Sequence, residues 1–335
     1  MGPISRIDQD EGLLYYREKR IDSLAKEQSF ESCFFLLVNG SLPEESELES
    51  FKTSLSGLRV RTSIRNTESS LSHPKQIPKY MDRTGVFTGL QEDEKLYCFV
   101  SNLPYYLRLA SADRNDGNQL LNDEHHTHAR SVYTLYSDRG IPESDLRDFE
   151  TCLILHMDDP DNPSLSALMR SFRENGNIVQ ALSKALAEHT GSLHHGAGHE
   201  AYKMLLHLQK SKSTEEALRK RIDSGKRVHG LGHRIYQTTD PRAKILAEML
   251  DRRTEGTNQY WLPELITEVA EVGAELLWEE KGIRVHPNVD LYNAAVYATM
   301  EIAPRFNTDL FAVARSAGWT AHLIEMHRNE LLPES

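Results

Sequence analysis

Apolar residues recur at three- and four-residue intervals along most of this chain, and strict alternation is scarce, so the pattern predicts helices nearly throughout. From Ala197 onward, Ala201, Met204, Leu205 and Leu208 fall on one helical face. The same spacing predicts helices over residues 124–137, 142–157, 213–224, 241–254, 262–280 and 309–329. Ser29 to Val38 reads as a short buried helix, apolar at Cys33, Phe34, Leu36 and Leu37 and stopped by Gly40. Ser41-Leu42-Pro43-Glu44 opens the next helix with a capping-box pattern. Residues 58–75 and 112–123 are rich in Ser, Asn, Arg and Asp and read as loops. There is no internal repeat and no low-complexity tract. The expectation is an all-α fold.

Composition narrows the function classes. With 335 residues the chain is long enough for two domains and a large core. Hydrophobic residues make up 39% and charged residues 27%, as in an ordinary globular protein of the cytoplasm. A formal charge of -11 argues against nucleic acid as the main partner, because a phosphate backbone needs a basic footprint. Cys33, Cys98 and Cys152 lie far apart in apolar contexts and read as reduced core thiols. No run approaches membrane-spanning length and no signal pattern opens the chain, so no membrane partner is expected.

The chemistry concentrates in a few segments. Between Val228 and Arg242 a loop punctuated by Gly230 and Gly232 presents His233, and Asp240-Pro241 then opens a helix. Arg242 sits in the first turn of that helix, where a cation opposes the helix dipole. An arginine there makes sense if a carboxylate docks beside the free N–H groups. The competing reading is a surface loop with a solvated arginine. Gly191-Ser192-Leu193-His194-His195-Gly196 is a second small-residue turn that leads into a helix. His195 with His199, and His229 with His233, have the one-turn spacing of metal ligands. Gly196, Gly198 and Gly232 break the helices such pairs need, so no metal site is expected. Asp290 in Pro287-Asn288-Val289-Asp290 reads in isolation as a helix N-cap. Arg315 is the only formal charge between Leu310 and Ile324 and needs a partner if buried, either a carboxylate of the chain or a bound anion.

Taken in order, these segments resemble the citrate synthase family nearly end to end. The resemblance rests on Ile4-Ser5-Arg6-Ile7-Asp8, Gly12-Leu13-Leu14-Tyr15-Tyr16-Arg17 and Leu153-Ile154-Leu155-His156. It continues through Gly191-Ser192-Leu193-His194, Gly230-Leu231-Gly232-His233 with Asp240-Pro241-Arg242, Pro287-Asn288-Val289-Asp290, and Ala314-Arg315 with Gly318-Trp319 and Ala321-His322. It implies an all-α homodimer with a large domain over 1–195 and 294–335 and a smaller mobile domain over 196–293.

The resemblance also implies the reaction, an acyl-CoA condensing with a 2-oxo acid through an enol, followed by thioester hydrolysis. Asp290 would be the base, His194 would stabilise the enol, and His233 would polarise the ketone. Arg242 and Arg315 would hold carboxylates of the oxo acid. Gly230, Leu231 and Gly232, with Lys226, Arg227 and Arg234, lie where the family meets CoA. Arg219, Lys220 and Arg221 add to that basic approach, although a charge run is usually a solvated helix face. Acyl-CoA is a co-substrate, and no permanently bound cofactor is implied.

Three departures mark this chain. Where the family carries a histidine in Ala-Asp-His-Glu, the run here is Met157-Asp158-Asp159-Pro160, which puts Asp159 at an oxo acid-binding position. The closing Leu331-Leu332-Pro333-Glu334-Ser335 has no arginine beside Pro333, where the family has an arginine-rich tail. His195 stands where glycine is common, and His199 stands near a usual asparagine. Three functions follow: a condensing enzyme for an oxo acid other than oxaloacetate, an ordinary citrate or 2-methylcitrate synthase, or a non-catalytic CoA-binding paralogue.

Overall fold

In a computed structural model of the protein, the described residues are 2–8, 11–59, 71–111, 127–137, 140–191, 196–232 and 240–330. They separate into two compact units. The first comprises residues 1–6, 15–195 and 309–335, and the second residues 7–14 and 196–308.

The first unit is built from helices α1 (Ile21–Glu27), α2 (Phe30–Asn39), α3 (Glu45–Gly57), α4 (Ile77–Arg83) and α5 (Glu92–Ala110). It continues with α6 (His128–Tyr136), α7 (Glu143–Leu155), α8 (Pro163–Asn175) and α9 (Ile178–His189). The second unit holds α10 (Ala197–Leu208), α11 (Thr214–Asp223), α12 (Pro241–Thr254), α13 (Trp261–Lys281) and α14 (Val289–Thr299). The last helix, α15 (Asn307–Glu330), belongs to the first unit from Asp309 onward. Among the described residues no helix is long and apolar enough to cross a membrane.

Local sequence explains most boundaries. Ser29 caps α2 by accepting from the Ser32 N–H, and Gly40 ends the helix at φ 85°. The capping box of α3 uses Glu44 and Glu47, so the helix starts later than Ser41. Leu42 precedes Pro43 and is driven away from helical backbone, which moves the start downstream. The predicted loop over 112–123 lies outside the described residues, as do 60–70 of the other one. The end of that second loop is a 3-10 turn over Pro74–Gln76.

Among the described residues a small sheet departs from the helical pattern. Strands β1 (Ser5–Asp8), β2 (Leu13–Tyr16) and β3 (Lys19–Arg20) are ordered β1-β2-β3, with Tyr15 opposite Arg20 and Tyr16 opposite Lys19. Strands this short give too little alternation to stand out in the sequence. The hairpin turn is pinned by Arg17, at φ 51°, whose buried guanidinium donates to the carbonyls of Leu37 and Gly2 and pairs with Glu325 at 3.0 Å.

The core of the first unit runs along α15, where Ala314, Ala317, Trp319 and Leu323 are buried. Each large apolar side chain buried this way contributes about 1.5–3 kcal/mol. Trp319 donates its ring N–H to Ser164 at 3.2 Å and meets the His189 ring edge-on. In the second unit Leu218, Leu246, Leu262 and Val269 form the core.

Candidate active site

Within the second unit, a tight loop and a helix start are clamped together. Gly230 and Gly232 lie at φ 84° and 90°, where L side chains rarely go. A Cβ at Gly230 would also collide with the backbone and Cβ of Leu291. Leu231 bridges Pro287 in antiparallel fashion, and the Gly232 N–H donates to the His286 carbonyl at 2.8 Å. Asn288 completes the clamp. Its backbone N–H donates to Gly230 at 3.0 Å and its side-chain amide to Gly232 at 2.6 Å. Two segments more than fifty residues apart in sequence therefore meet at the first turn of α14.

The same Asn288 accepts the Asp290 N–H at 2.9 Å and is the N-cap of α14. Asp290 is thus a first-turn residue and not the cap that it resembles in isolation. Its carboxylate accepts no hydrogen bond among the described residues. Burial pushes its pKa up to about 6; the Arg242 guanidinium pulls the other way, and Asp240 adds to the rise. A carboxyl group poised near neutrality without a partner suits proton transfer.

Arg242 is buried and already held. Its Nε and Nη2 donate to the two Asp240 oxygens at 3.0 and 2.8 Å, and Asp240 also accepts the Arg242 backbone N–H at 2.9 Å. Asp240 is both the expected N-cap of α12 and the counter-charge for the cation that opposes the helix dipole. Sequence reasoning missed this second role, although Asp240 stands two residues from Arg242. The fork holds the guanidinium in a fixed orientation.

The first unit carries a different buried network. Arg315 is 1% exposed and donates from Nε to the His156 carbonyl at 2.8 Å, while its Nη1 is buried with no hydrogen-bond partner among the described residues. The His156 ring stacks on Phe311. Asp158 is fully buried and accepts from Ser5 at 2.5 Å; His322 Nε2 lies 3.0 Å from the same oxygen. Burial works against its charge, but His322, Ser5 and Arg315 together hold its carboxyl below the usual carboxylate range. Gly318 explains how α15 comes so close, since a methyl there would collide with the Met157 carbonyl and the Asp158 carboxylate. The Tyr16 hydroxyl donates to the Ile154 carbonyl at 2.9 Å and accepts the Asp158 N–H at 3.2 Å, which fixes the turn after α7.

Asp159 is buried beside it and accepts the Asp161 N–H at 3.2 Å in an Asx turn. Asp158, Ser5 and His322 were not singled out as functional residues. Their signal was weak: an aspartate beside another aspartate, and a lone histidine on an apolar helix.

His194, His195, His233 and Arg234 lie outside the described residues. Lys226 and Arg227 are exposed beside the Gly230 loop and form no ion pair among the described residues. Arg219, by contrast, is taken up by Glu215, Glu279 and Glu280, and Arg221 donates to the Arg227 carbonyl. These two cations belong to local structure. Among the described residues no group of three His, Cys, Asp or Glu side chains could hold a metal ion.

With this geometry in place, the comparisons with known proteins are specific. A profile of the family described as citrate synthase, C-terminal domain, matches residues 3–332. The citrate synthase of Haloferax volcanii is 28% identical over 98% of this chain and 90% of its own. The crystal structure of citrate synthase from Thermotoga maritima superposes with a TM-score of 0.80 at 27% identity, covering 100% of this chain and 91% of that one. The ternary complex of a Thermoplasma acidophilum citrate synthase with carboxymethyl coenzyme A and oxaloacetate has the same fold, with a TM-score of 0.83 at 23% identity and coverage of 100% and 92%. The chain belongs to the citrate synthase family.

Proposed function

We propose that this member of the citrate synthase family condenses an acyl-CoA with a 2-oxo acid, and that the oxo acid is not oxaloacetate. Asp290 takes a proton from the α-carbon of the thioester, and His194 donates a hydrogen bond to the developing enolate oxygen. The α-carbon then bonds to the carbonyl carbon of the oxo acid, whose oxygen is polarised by His233. Water cleaves the thioester and releases the CoA thiol. Arg242 and Arg315 bind carboxylate of the oxo acid, and Gly230, Leu231 and Gly232 with Lys226, Arg227 and Arg234 face CoA.

The observation that carries this reading is Asp290, a carboxylate with no hydrogen bond among the described residues, raised to about 6 at a loop clamped by glycines. The Nη1 of buried Arg315, without a hydrogen-bond partner among the described residues, supports an anionic substrate. The same reading makes the protein a cytoplasmic homodimer with acyl-CoA as co-substrate and no resident cofactor. It takes 1–195 and 294–335 as the large domain and 196–293 as the smaller one.

Substrate choice rests on Asp159. A carboxylate where the resemblance implies a histidine replaces a possible donor with an acceptor. An ionised pair about 4 Å apart at an effective dielectric near 20 repels by roughly 4 kcal/mol. That is nearly a thousandfold in affinity, at about 1.4 kcal/mol per factor of ten. The preferred oxo acid therefore lacks the distal carboxylate of oxaloacetate, or carries a neutral or cationic group there. The test is thiol release from acetyl-CoA with a panel of 2-oxo acids. Poor turnover of oxaloacetate, partly recovered in Asp159→His, is expected. Efficient turnover at micromolar oxaloacetate leaves the ordinary citrate or 2-methylcitrate synthase. No thiol release with any oxo acid of the panel leaves a non-catalytic CoA-binding paralogue.

A further inference from the structure

Polar anchors hold α14 on either side of Asp290. Asn288 ties the helix start to the Gly230–Gly232 loop. Asn293 lies three residues beyond Asp290, which puts it about 60° around the helix at 3.6 residues per turn. It is fully buried, and its Nδ2 donates to Asn307 Oδ1 at 2.9 Å. Its own Oδ1 is buried with no hydrogen-bond partner among the described residues. A buried amide that recovers only part of its hydrogen bonding costs more than a leucine of similar size. Packing alone therefore does not account for it.

Asn307 is itself fixed. It starts α15, is buried, and fills the space left open by Gly198 of α10, where a methyl would collide with the Asn307 amide. The next residue, Thr308, accepts the N–H of Gly196, the N-cap of α10, at 3.1 Å. All of these residues belong to the second unit, so the start of α15 joins α10 to α14 within it. The apolar contacts of α14, at Leu291, Ala294 and Ala295, have no preferred direction. Held by these and by Asn288, α14 could still turn about its axis. A hydrogen bond one turn further on resists that turning, because it tolerates only a narrow range of distance and angle.

We propose that Asn293 and Asn307 are positioning residues that fix the rotation of α14 and so hold Asp290 in its buried setting. The inference rests on the reading of Asp290 as the base.

The test compares Asn307→Leu with the double variant Asn293→Leu and Asn307→Leu. The single change strands the Asn293 amide and should lower Tm. The double change removes both partners at similar side-chain size and should restore most of the Tm. A merely structural role predicts that activity returns with Tm, and a positioning role predicts that it does not. In both variants α-proton exchange of the acyl-CoA should fall about tenfold with its KM little changed, since small misplacements of a reacting group are costly. The titration midpoint of Asp290, read by NMR on aspartate labelled with ¹³C at the carboxyl, should move from about 6 toward 3.8 as water reaches it. Arg242 and Asp240, whose charges also act on Asp290, are left in place. An unchanged midpoint in the folded double variant, or exchange that returns with Tm, overturns the proposal. Absence of exchange in the unmodified protein counts against the proposed reaction, and the NMR midpoint then decides the positioning role by itself.

Discussion

Asp158 in the first unit and Asp290 in the second are the same residue type, both with charged groups nearby, yet the fold treats them in opposite ways. Asp158 is surrounded by Ser5, His322 and the charge of Arg315, and its carboxyl is held below its ordinary range. Asp290 receives no hydrogen bond at its carboxylate among the described residues, and burial lifts it to about 6. The arginines mirror this. Arg242 is forked by Asp240, while Arg315 keeps a buried Nη1 without a hydrogen-bond partner among the described residues. The lesson is that burial alone does not make an acid reactive. What matters is whether the donors that stabilise its charge were placed around it or withheld.

The sharpest way to break this comparison is at Asp290. Asp290→Asn should lower α-proton exchange of the acyl-CoA about 10²–10⁴-fold, the usual contribution of a general base. The fold should survive, because Asn288 and not Asp290 caps the helix. The pH dependence carries a sign. The folded pKa near 6 exceeds the ordinary 3.8, so the folded state holds the extra proton between these values. Stability therefore falls as pH rises through that window. Asp290→Asn should raise Tm at pH 7 and leave it unchanged well below pH 3.8, where the carboxyl is protonated in both states. Exchange in the unmodified protein should rise with pH to a plateau above about 6. Unchanged exchange in a folded Asp290→Asn variant would end the assignment of Asp290 as the base.

The next effect in size is at Asp158. Asp158→Ala strands His322, Ser5 and Arg315 in the core, and urea unfolding should show a loss of about 3–5 kcal/mol. Its carboxyl is depressed, so its contribution is present at neutral pH and is lost as pH falls through the folded value, below 3.8. A variant with normal stability but no turnover would make Asp158 a second reactive acid and dissolve the contrast.

The smallest effect is at Arg242. Arg242→Lys keeps the charge but loses the planar fork that meets Asp240. The KM for the oxo acid should rise about tenfold, worth about 1.4 kcal/mol, with CoA affinity little changed. An equal loss for both ligands would assign Arg242 to folding of the second unit rather than to binding.

Much of the fold was legible before any coordinates. The helix expected over 241–254 is Pro241–Thr254, and that expected over 262–280 is Trp261–Lys281. Helix period and caps act within a few turns, so they leave a local trace. The short hairpin over residues 13–20 left almost none, and Arg17, which pins it, reaches Glu325 at the far end of the chain. In the site, Arg242 and Arg315 stood out from their sequence contexts, whereas Asp290 read there as a helix cap and entered only through the family resemblance. The roles of Asn288 and Asp240 did not stand out, because a capping residue looks the same whether or not its other atoms bind elsewhere.

By itself, then, the sequence determined the helical class, the order of the motifs and through them the family, since each is written in residues close together along the chain. Only the tertiary structure decided which aspartate is held charged by its donors and which is pushed toward its neutral form by burial. Ser5 and His322 stand 153 and 164 positions from Asp158, so no local pattern announces their meeting. A charge is tuned by what lies within a few ångströms of it in space, and that neighbourhood exists only after the chain has packed.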